Sequence, residues 1–452
     1  MSKLFKFLIL FIITDAMLLI YSPKLTNRLR YIFEHIFEDM LGINFSITTD
    51  KEIFIEFDGP KLNYSSRQFE NELFFYASPL LFERGIKQQR IKVESFEDTK
   101  MFYISRSNSD LPFDPFAASF YLISRYEEYL PFMPDQHGRF AALNSLAYQN
   151  DFLQEAIIDK WVLKLKSCLE KRYSEIVFRP KKYKFIPSYD IDIAYSYINK
   201  GILRNFGGYV VDLKNFNLQS IKNRTKVLFG SQKDPYDTYN WQLKLQKTHN
   251  LQPLYFFLVG EYGAYDKNIS IENFSYQDLI QSIGDICEVG IHPSYASNKD
   301  ILRLTEEVKS LAKVLKKEIH RSRQHYVKLQ IPETYQNLID LDINKDYSMG
   351  YPSQLGFRAG TASAFLFYDL TLEIKTKLKI YPFAAMDVTL KDYLQLTPEE
   401  ASEKLHTIIE EIKAVEGLFI TIWHNNTLSD TDDWKGWRVV YEEMVKEAVK
   451  ND

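Results

Sequence analysis

The spacing of apolar residues changes character near residue 180. Before it, short runs of strand type such as "MLLIYS" and "EIFIEF" mix with helical spacing such as "RLRYIFEHIFEDML". The turn-forming stretches "DGPKLNYS" and "MPDQHGRF" fall between them. In "DPFAASFYLISRYEEYLPF" the apolar positions repeat as in a helix, and Arg125, Glu127 and Glu128 read as its solvated face with local ion pairs. A long helical pattern over 152–175 closes this unit, and the basic stretch "RPKKYKF" (179–185) leads out of it.

Beyond 185 the pattern alternates strand and helix. "FIPSYD", "PLYFFLVG", "VGIHPSY" and "GLFITIWHNN" are the strand candidates; helices are predicted over 236–249, 274–288, 299–319, 398–415 and 434–449. The helix near 398 has Thr397 to cap it, Pro398 in its first turn, Glu399 and Glu400 following, and Gly417 beyond its end. Such alternation predicts parallel strands covered by helices, closed as a barrel or open and doubly wound. An insertion over 198–235 is long enough to cover one rim of a site. No internal repeat or low-complexity tract interrupts the chain.

Composition narrows the function classes. The 452 residues, 45% hydrophobic and 26% charged, suit a globular protein of two or three domains. A net charge of −4 disfavours a general nucleic-acid binder. The 30 Tyr and 33 Phe could stack on sugar rings, although most such residues fill cores. Cys168 and Cys287 lie far apart in helical patterns, which argues against a disulfide framework and for a reducing, cytoplasmic setting. The start, "MSKLFKFLILFIITDAMLLIYS", resembles a signal peptide, but Thr14 and Asp15 break its apolar run. Residues 1–16 are therefore expected to be an extension ahead of Met17, with a membrane-anchored or exported form as the alternative.

Polar residues stand where the predicted parallel strands end, which is where ligands meet such sheets. Asp190 and Asp192 end the first strand, His292 ends "VGIH", and His424 ends "LFITIWH". Arg358 lies in "GFRAGT", Asp387 in "YPFAAMDVTL" and His325 in "SRQHYVKL". Singly, a strand-end histidine is most simply a hydrogen-bonded core residue and an aspartate before a helix a cap. As an ordered set they need a common explanation. A divalent cation would offset the repulsion between Asp190 and Asp192, and a carboxylate with imidazoles suits zinc or a related first-row ion. The remaining carboxylate could take a proton from water activated there, and a histidine could protonate a leaving amine. His249 and His406 fall in helical patterns, His35 shares a helix with acidic residues, His137 lies in a loop, and His320 at a helix end. Trp434 and Trp437 suit packing of the last helix at least as well as sugar stacking.

The order of aspartate pair, strand-end histidine, arginine, aspartate and apolar–Trp–His is similar to the polysaccharide deacetylases, the NodB-homology domains of carbohydrate esterase family four. "HPSYASN", "SRQHY", "DYSMGY" and "GFRAGT" further resemble a bacterial group of deacetylase-like proteins with an uncharacterised N-terminal domain. The resemblance implies an α/β fold: an N-terminal α+β domain over 17–180 and a distorted (β/α) barrel catalytic domain over 185–450. It implies a divalent metal, an acetylated sugar or polysaccharide precursor as substrate, and hydrolysis of the acetyl group. "YDID" would make Asp190 the base and Asp192 a metal ligand, or the reverse. "HPSYAS" would make His292 a second ligand. Where the pattern expects another histidine this chain has Ala296, and His325, with Arg323 nearby, is the candidate replacement. Arg358 would hold the base carboxylate, Asp387 would orient the last histidine, and His424 would be the general acid. The alternatives are a relative that binds glycans without hydrolysing them, and an amidohydrolase acting on a non-carbohydrate amide. The chain has no glycine-rich phosphate loop and no G-x-S-x-G stretch.

Overall fold

The computed structural model describes residues 18–105 and 108–450; the expected extension at 1–16 lies outside them. The strands are β1 (Leu18–Tyr21), β2 (Phe45–Thr48), β3 (Lys61–Ser65), β4 (Leu73–Tyr76), β5 (Glu94–Phe96), β6 (Thr99–Met101), β7 (Lys184–Ile191), β8 (Leu254–Phe257), β9 (Glu288–Ile291), β10 (Arg321–Ser322), β11 (Lys345–Asp346), β12 (Phe365–Asp369), β13 (Ile374–Ile380), β14 (Ala385–Met386) and β15 (Leu418–His424). In the first unit the order is β2-β1-β3-β4, and all three pairings are parallel. The unit, expected to be α+β, thus combines a parallel sheet interleaved with helices and the antiparallel pair β5–β6. Helical segments at Asn27–Met40 and Lys51–Glu56 return the chain so that successive strands point the same way. The second of these is the stretch "EIFIEF", predicted as a strand. The Asp50 side chain accepts from the backbone N–H groups of Glu52 and Ile53, and that cap turns the segment into a helix.

The second unit contains a nine-stranded sheet, ordered β12-β13-β11-β10-β9-β8-β7-β15-β14. Every pairing is parallel except the β12–β13 hairpin. Strands β7, β8 and β15 are each paired on both sides and buried over most of their length, which accounts for their largely apolar sequences. The α/β class with a parallel sheet follows. Barrel closure is not seen: among the described residues no ladder joins the end strands β12 and β14, and β10, β11 and β14 are two residues long. The helix at Pro398–Ala414 carries the capping box of Thr397 and Glu400.

One hydrophobic core runs through both units, from Leu18 to Ala448. Polar contacts cross the same seam. Fully buried Arg28 pairs with Glu373, with Nε 2.9 Å from Oε2. Asp159, predicted only as part of a helix, accepts from the Thr361 and Ser363 hydroxyls and pairs with Lys181 at 2.7 Å. At Gly356 (φ +114°) a Cβ would stand 2.3 Å from the Leu153 carbonyl oxygen, so glycine alone lets this irregular segment lie against the first unit. There Phe357 N–H donates to Leu153 at 2.8 Å.

Candidate functional site

The parallel register fixes where the polar side chains emerge. Asp190 stands opposite His424 in the β7–β15 ladder. Asp192 follows β7, His292 follows β9, Arg323 and His325 follow β10, and Asp387 follows β14, so all meet at one edge of the sheet. They frame a pocket of about 280 Å³ that Asp190, Asp192, His292, His325 and His424 line together.

Asp192 is its centre. His292 Nε2 lies 3.1 Å from Oδ1, His325 Nε2 3.3 Å from Oδ2, and His424 Nε2 3.7 Å from Oδ2. The far nitrogen of each imidazole is engaged elsewhere. His292 Nδ1 donates to the Arg323 carbonyl at 2.6 Å, His325 Nδ1 lies 2.9 Å from Asp266, and His424 Nδ1 lies 2.9 Å from Asp387. Fixing Nδ1 in this way aims Nε2 inward, as second partners do for metal-ligating histidines. Burial opposes ionisation of Asp192, but the charges of His325 and His424 and hydrogen bonds from His292 and His325 outweigh it and hold the carboxyl well below its usual range. Burial likewise disfavours the charged form of His325, but Asp192 and Asp266 push it up to about 9; His424 is pushed up to about 10, chiefly by Asp387 and Asp192.

The donor set fits a metal ion. Ligand atoms of Asp192, His292 and His325 all lie within 4.8 Å of one another. The buried Asp192 Oδ1 has no aligned hydrogen-bond donor, although His292 Nε2 is only 3.1 Å away. One carboxylate and two imidazoles, with His325 giving up its proton to an incoming cation, are a zinc-type set. Ala296, where a motif histidine was missing, sits instead ahead of the short helical turn Ser297–Lys299, and His325 occupies the gathered position. Its loop is strained: Tyr326 and Val327 both have positive φ. Arg139 of the first unit holds that loop, donating from Nη1 to the Tyr326 carbonyl at 2.6 Å.

Asp190 is gripped by Arg323, not by Arg358. Arg323 Nη1 lies 3.0 Å from Asp190 Oδ1 and 2.7 Å from Ser188 Oγ, and its guanidinium stacks 4.4 Å from the Phe256 ring centre. Arg358 corrects the sequence-based expectation. It is buried against Glu128, with Nε to Oε1 at 2.9 Å and Nη2 to Oε2 at 2.6 Å, and takes no part in the pocket. The same contacts correct the reading of Arg125, Glu127 and Glu128 as a solvated face, since all three are buried. Arg125 binds both glutamates at 2.7–2.8 Å, and Glu127 also caps the Leu146 N–H. Charges three apart in an apolar helix were the available signal; their partner lies 230 residues away. Asp387 does contact His424, through the ring and through the backbone N–H at 2.8 Å, and Thr427 also donates to it. Asp266 was missed because it lies in a long loop with no local motif. Trp437 is core, packed edge-on to Trp434 at 5.4 Å.

A family model described as a family of unknown function (DUF7033) matches residues 18–174. No curated protein matches the chain. Among solved structures, a protein provisionally assigned as a polysaccharide deacetylase from Mycobacterium smegmatis is 12% identical, covering 61% of this chain and 87% of that one, with a TM-score of 0.39. A mutant of a CE4-family pseudoenzyme with restored enzymatic activity is 11% identical, covering 60% and 65%, with a TM-score of 0.30. A 7,8-dihydropteroate synthase from Vibrio fischeri is 8% identical, covering 61% and 95%, also with a TM-score of 0.30. Likenesses this distant carry no argument about activity.

Proposed function

We propose that the pocket is the active site of a metal-dependent hydrolase that removes acetyl groups from a carbohydrate. The observation that carries the reading is the convergence of Asp192, His292 and His325 beside two further groups, Asp190, 3.8 Å from His292, and His424, 3.7 Å from Asp192. Asp192, His292 and His325 would hold a divalent ion of the zinc type, which when bound supplies Lewis-acid polarisation of the acyl oxygen and makes a water more acidic. Asp190 is the base: Arg323 holds its carboxylate in place, and it takes a proton from the attacking water. His424 is the acid. Asp387 orients its ring, leaving Nε2 to deliver a proton to the departing amine or alkoxide, so that acetate and the free sugar group result. Tyr265, Tyr326 and Tyr393 line the pocket and offer faces on which a sugar ring can lie.

The test is acetate release by the full chain from a panel of N- and O-acetylated sugars and small amides, after chelation and reloading with zinc or cobalt. Metal-dependent release from the sugars supports the reading. Sugar binding without release by the reloaded protein would make it a glycan-binding relative, and release from small amides alone would move the substrate class.

A further inference from the structure

The insertion forms a helical hairpin, Gly201–Lys214 and Leu218–Leu228, whose first helix is amphipathic in the wrong sense for a globular surface. Ile202, Leu203, Phe206, Val210 and Leu213 fall within about 100° of one another around the helix, and each is between 52% and 88% exposed. None of the helix is buried. Its other side is polar and faces protein. Arg204 donates to the carbonyls of Asn268 and Lys267, both at 2.9 Å. Asp212 pairs with Arg224 of the second helix at 2.8 Å, and Tyr209 bonds Thr225 at 2.9 Å. Gly208 leaves room for Arg224, which would otherwise lie 2.4 Å from a Cβ. The polar inner side is satisfied, so the apolar stripe is left as the free face. A stripe of large side chains held in water costs free energy unless something covers it.

Charge says what covers it. The segment 198–235 has seven Lys or Arg and two Asp, in a chain whose net charge is −4. Lys214, Lys222 and Lys226 are exposed. An exposed apolar stripe beside a local basic excess is the pattern of an element that lies in the surface plane of an anionic bilayer. No helix among the described residues is long and apolar enough to cross a membrane, so the hairpin would lie on the surface and not span. We infer that this hairpin docks the protein on an anionic lipid surface by inserting the Ile202–Leu213 stripe among the headgroups. It is tied to the pocket, because Lys267, whose carbonyl Arg204 holds, lines the pocket rim.

The test is co-flotation of the full chain with phosphatidylcholine vesicles, with and without a third of phosphatidylglycerol. It needs no turnover, so it is independent of the hydrolase reading. The wild type should float with the anionic vesicles and be released by high salt. Phe206→Ser/Val210→Ser, which alters only exposed side chains, should lower the bound fraction at least tenfold with an unchanged melting temperature. Lys222→Glu/Lys226→Glu should do the same through charge alone. Absence of binding by the wild type overturns the proposal. So does undiminished binding by both variants, which would assign attachment to the segment at 1–16. A dimer in light scattering that Phe206→Ser/Val210→Ser dissociates, with no vesicle binding, would instead give the face to a second copy of the chain.

Discussion

Arg358 and Glu128 form a two-pronged ion pair across the seam between the units, Nε to Oε1 and Nη2 to Oε2, with both side chains at most 2% exposed. Arg125 binds the same carboxylate at 2.7 Å, so one glutamate serves two buried guanidiniums and is held below its usual carboxylate range against the pull of burial. Glu128→Ala should therefore cost about 3–5 kcal/mol, because it leaves two buried cations without their shared partner. Urea unfolding of the full chain measures it. A loss under about 1 kcal/mol, the scale of a surface pair, would show the bridge to be solvated.

The metal reading predicts a graded series. Asp192→Asn, His292→Ala and His325→Ala should each abolish stoichiometric zinc after chelation and reloading. Asp266→Asn, which loosens the far side of His325 while keeping an acceptor for the Tyr295 N–H, should weaken zinc binding by about 10–100-fold. Full zinc occupancy in any of the three ligand variants would falsify the assignment.

Arg323→Met removes the cation beside Asp190 while leaving Asp192, His292 and His325 in place. Deacetylation by the zinc-loaded variant should fall roughly 10²-fold or more in kcat, with KM little changed, if Asp190 is the base. An unchanged kcat would move that role elsewhere.

Two buried carboxyls outside the pocket lining make stability fall as pH rises. Burial pushes Asp114 and Asp346 up to about 6, despite the hydrogen bonds each accepts. A raised folded-state value means that the stability is fully present below the unfolded value near 4 and is lost as pH rises through 6. Each should contribute on the order of 2–3 kcal/mol over that window. Asp114→Asn keeps an acceptor for the Phe116 and Ala117 N–H groups while removing the titration, so its melting temperature should vary less between pH 4 and 7 than that of the wild type. An identical pH slope in the two proteins would refute the assignment.

Gly356→Ala should destabilise the protein by at least about 2 kcal/mol, because a Cβ meets backbone that cannot move aside and the φ of +114° suits only glycine. Gly263→Ala, with nothing closer than 3.9 Å to its Cβ, is the control. Equal melting temperatures for the two variants would contradict the close approach at Leu153.

What could be read from the sequence follows the range of the interactions. Strand-end residues were legible because β7, β9 and β15 each bury their last residues where the chain turns to Asp or His. Asp190, Asp192, His292 and His424 therefore fall together at the carboxyl ends of the strands on the sequence alone. His325 was named only through the family resemblance, whose pattern expects a histidine where this chain has Ala296. The misplaced roles are those set by distant partners. Arg358 sits beside small residues in "GFRAGT", and nothing local says that it turns toward Glu128 and leaves Asp190 to Arg323. The helix at Lys51–Glu56 was misread because its apolar alternation also fits a strand, and the decisive cap is the single side chain of Asp50.

The seam also limits what can be recombined. The segment that follows residue 180 carries Arg358 and Glu373, whose opposite charges, Glu128 and Arg28, are supplied by the segment that precedes it. Grafting either half onto a foreign partner would strand an ion in an oily interior. The two units are thus bound to be inherited together, as lock and hasp of one molecule.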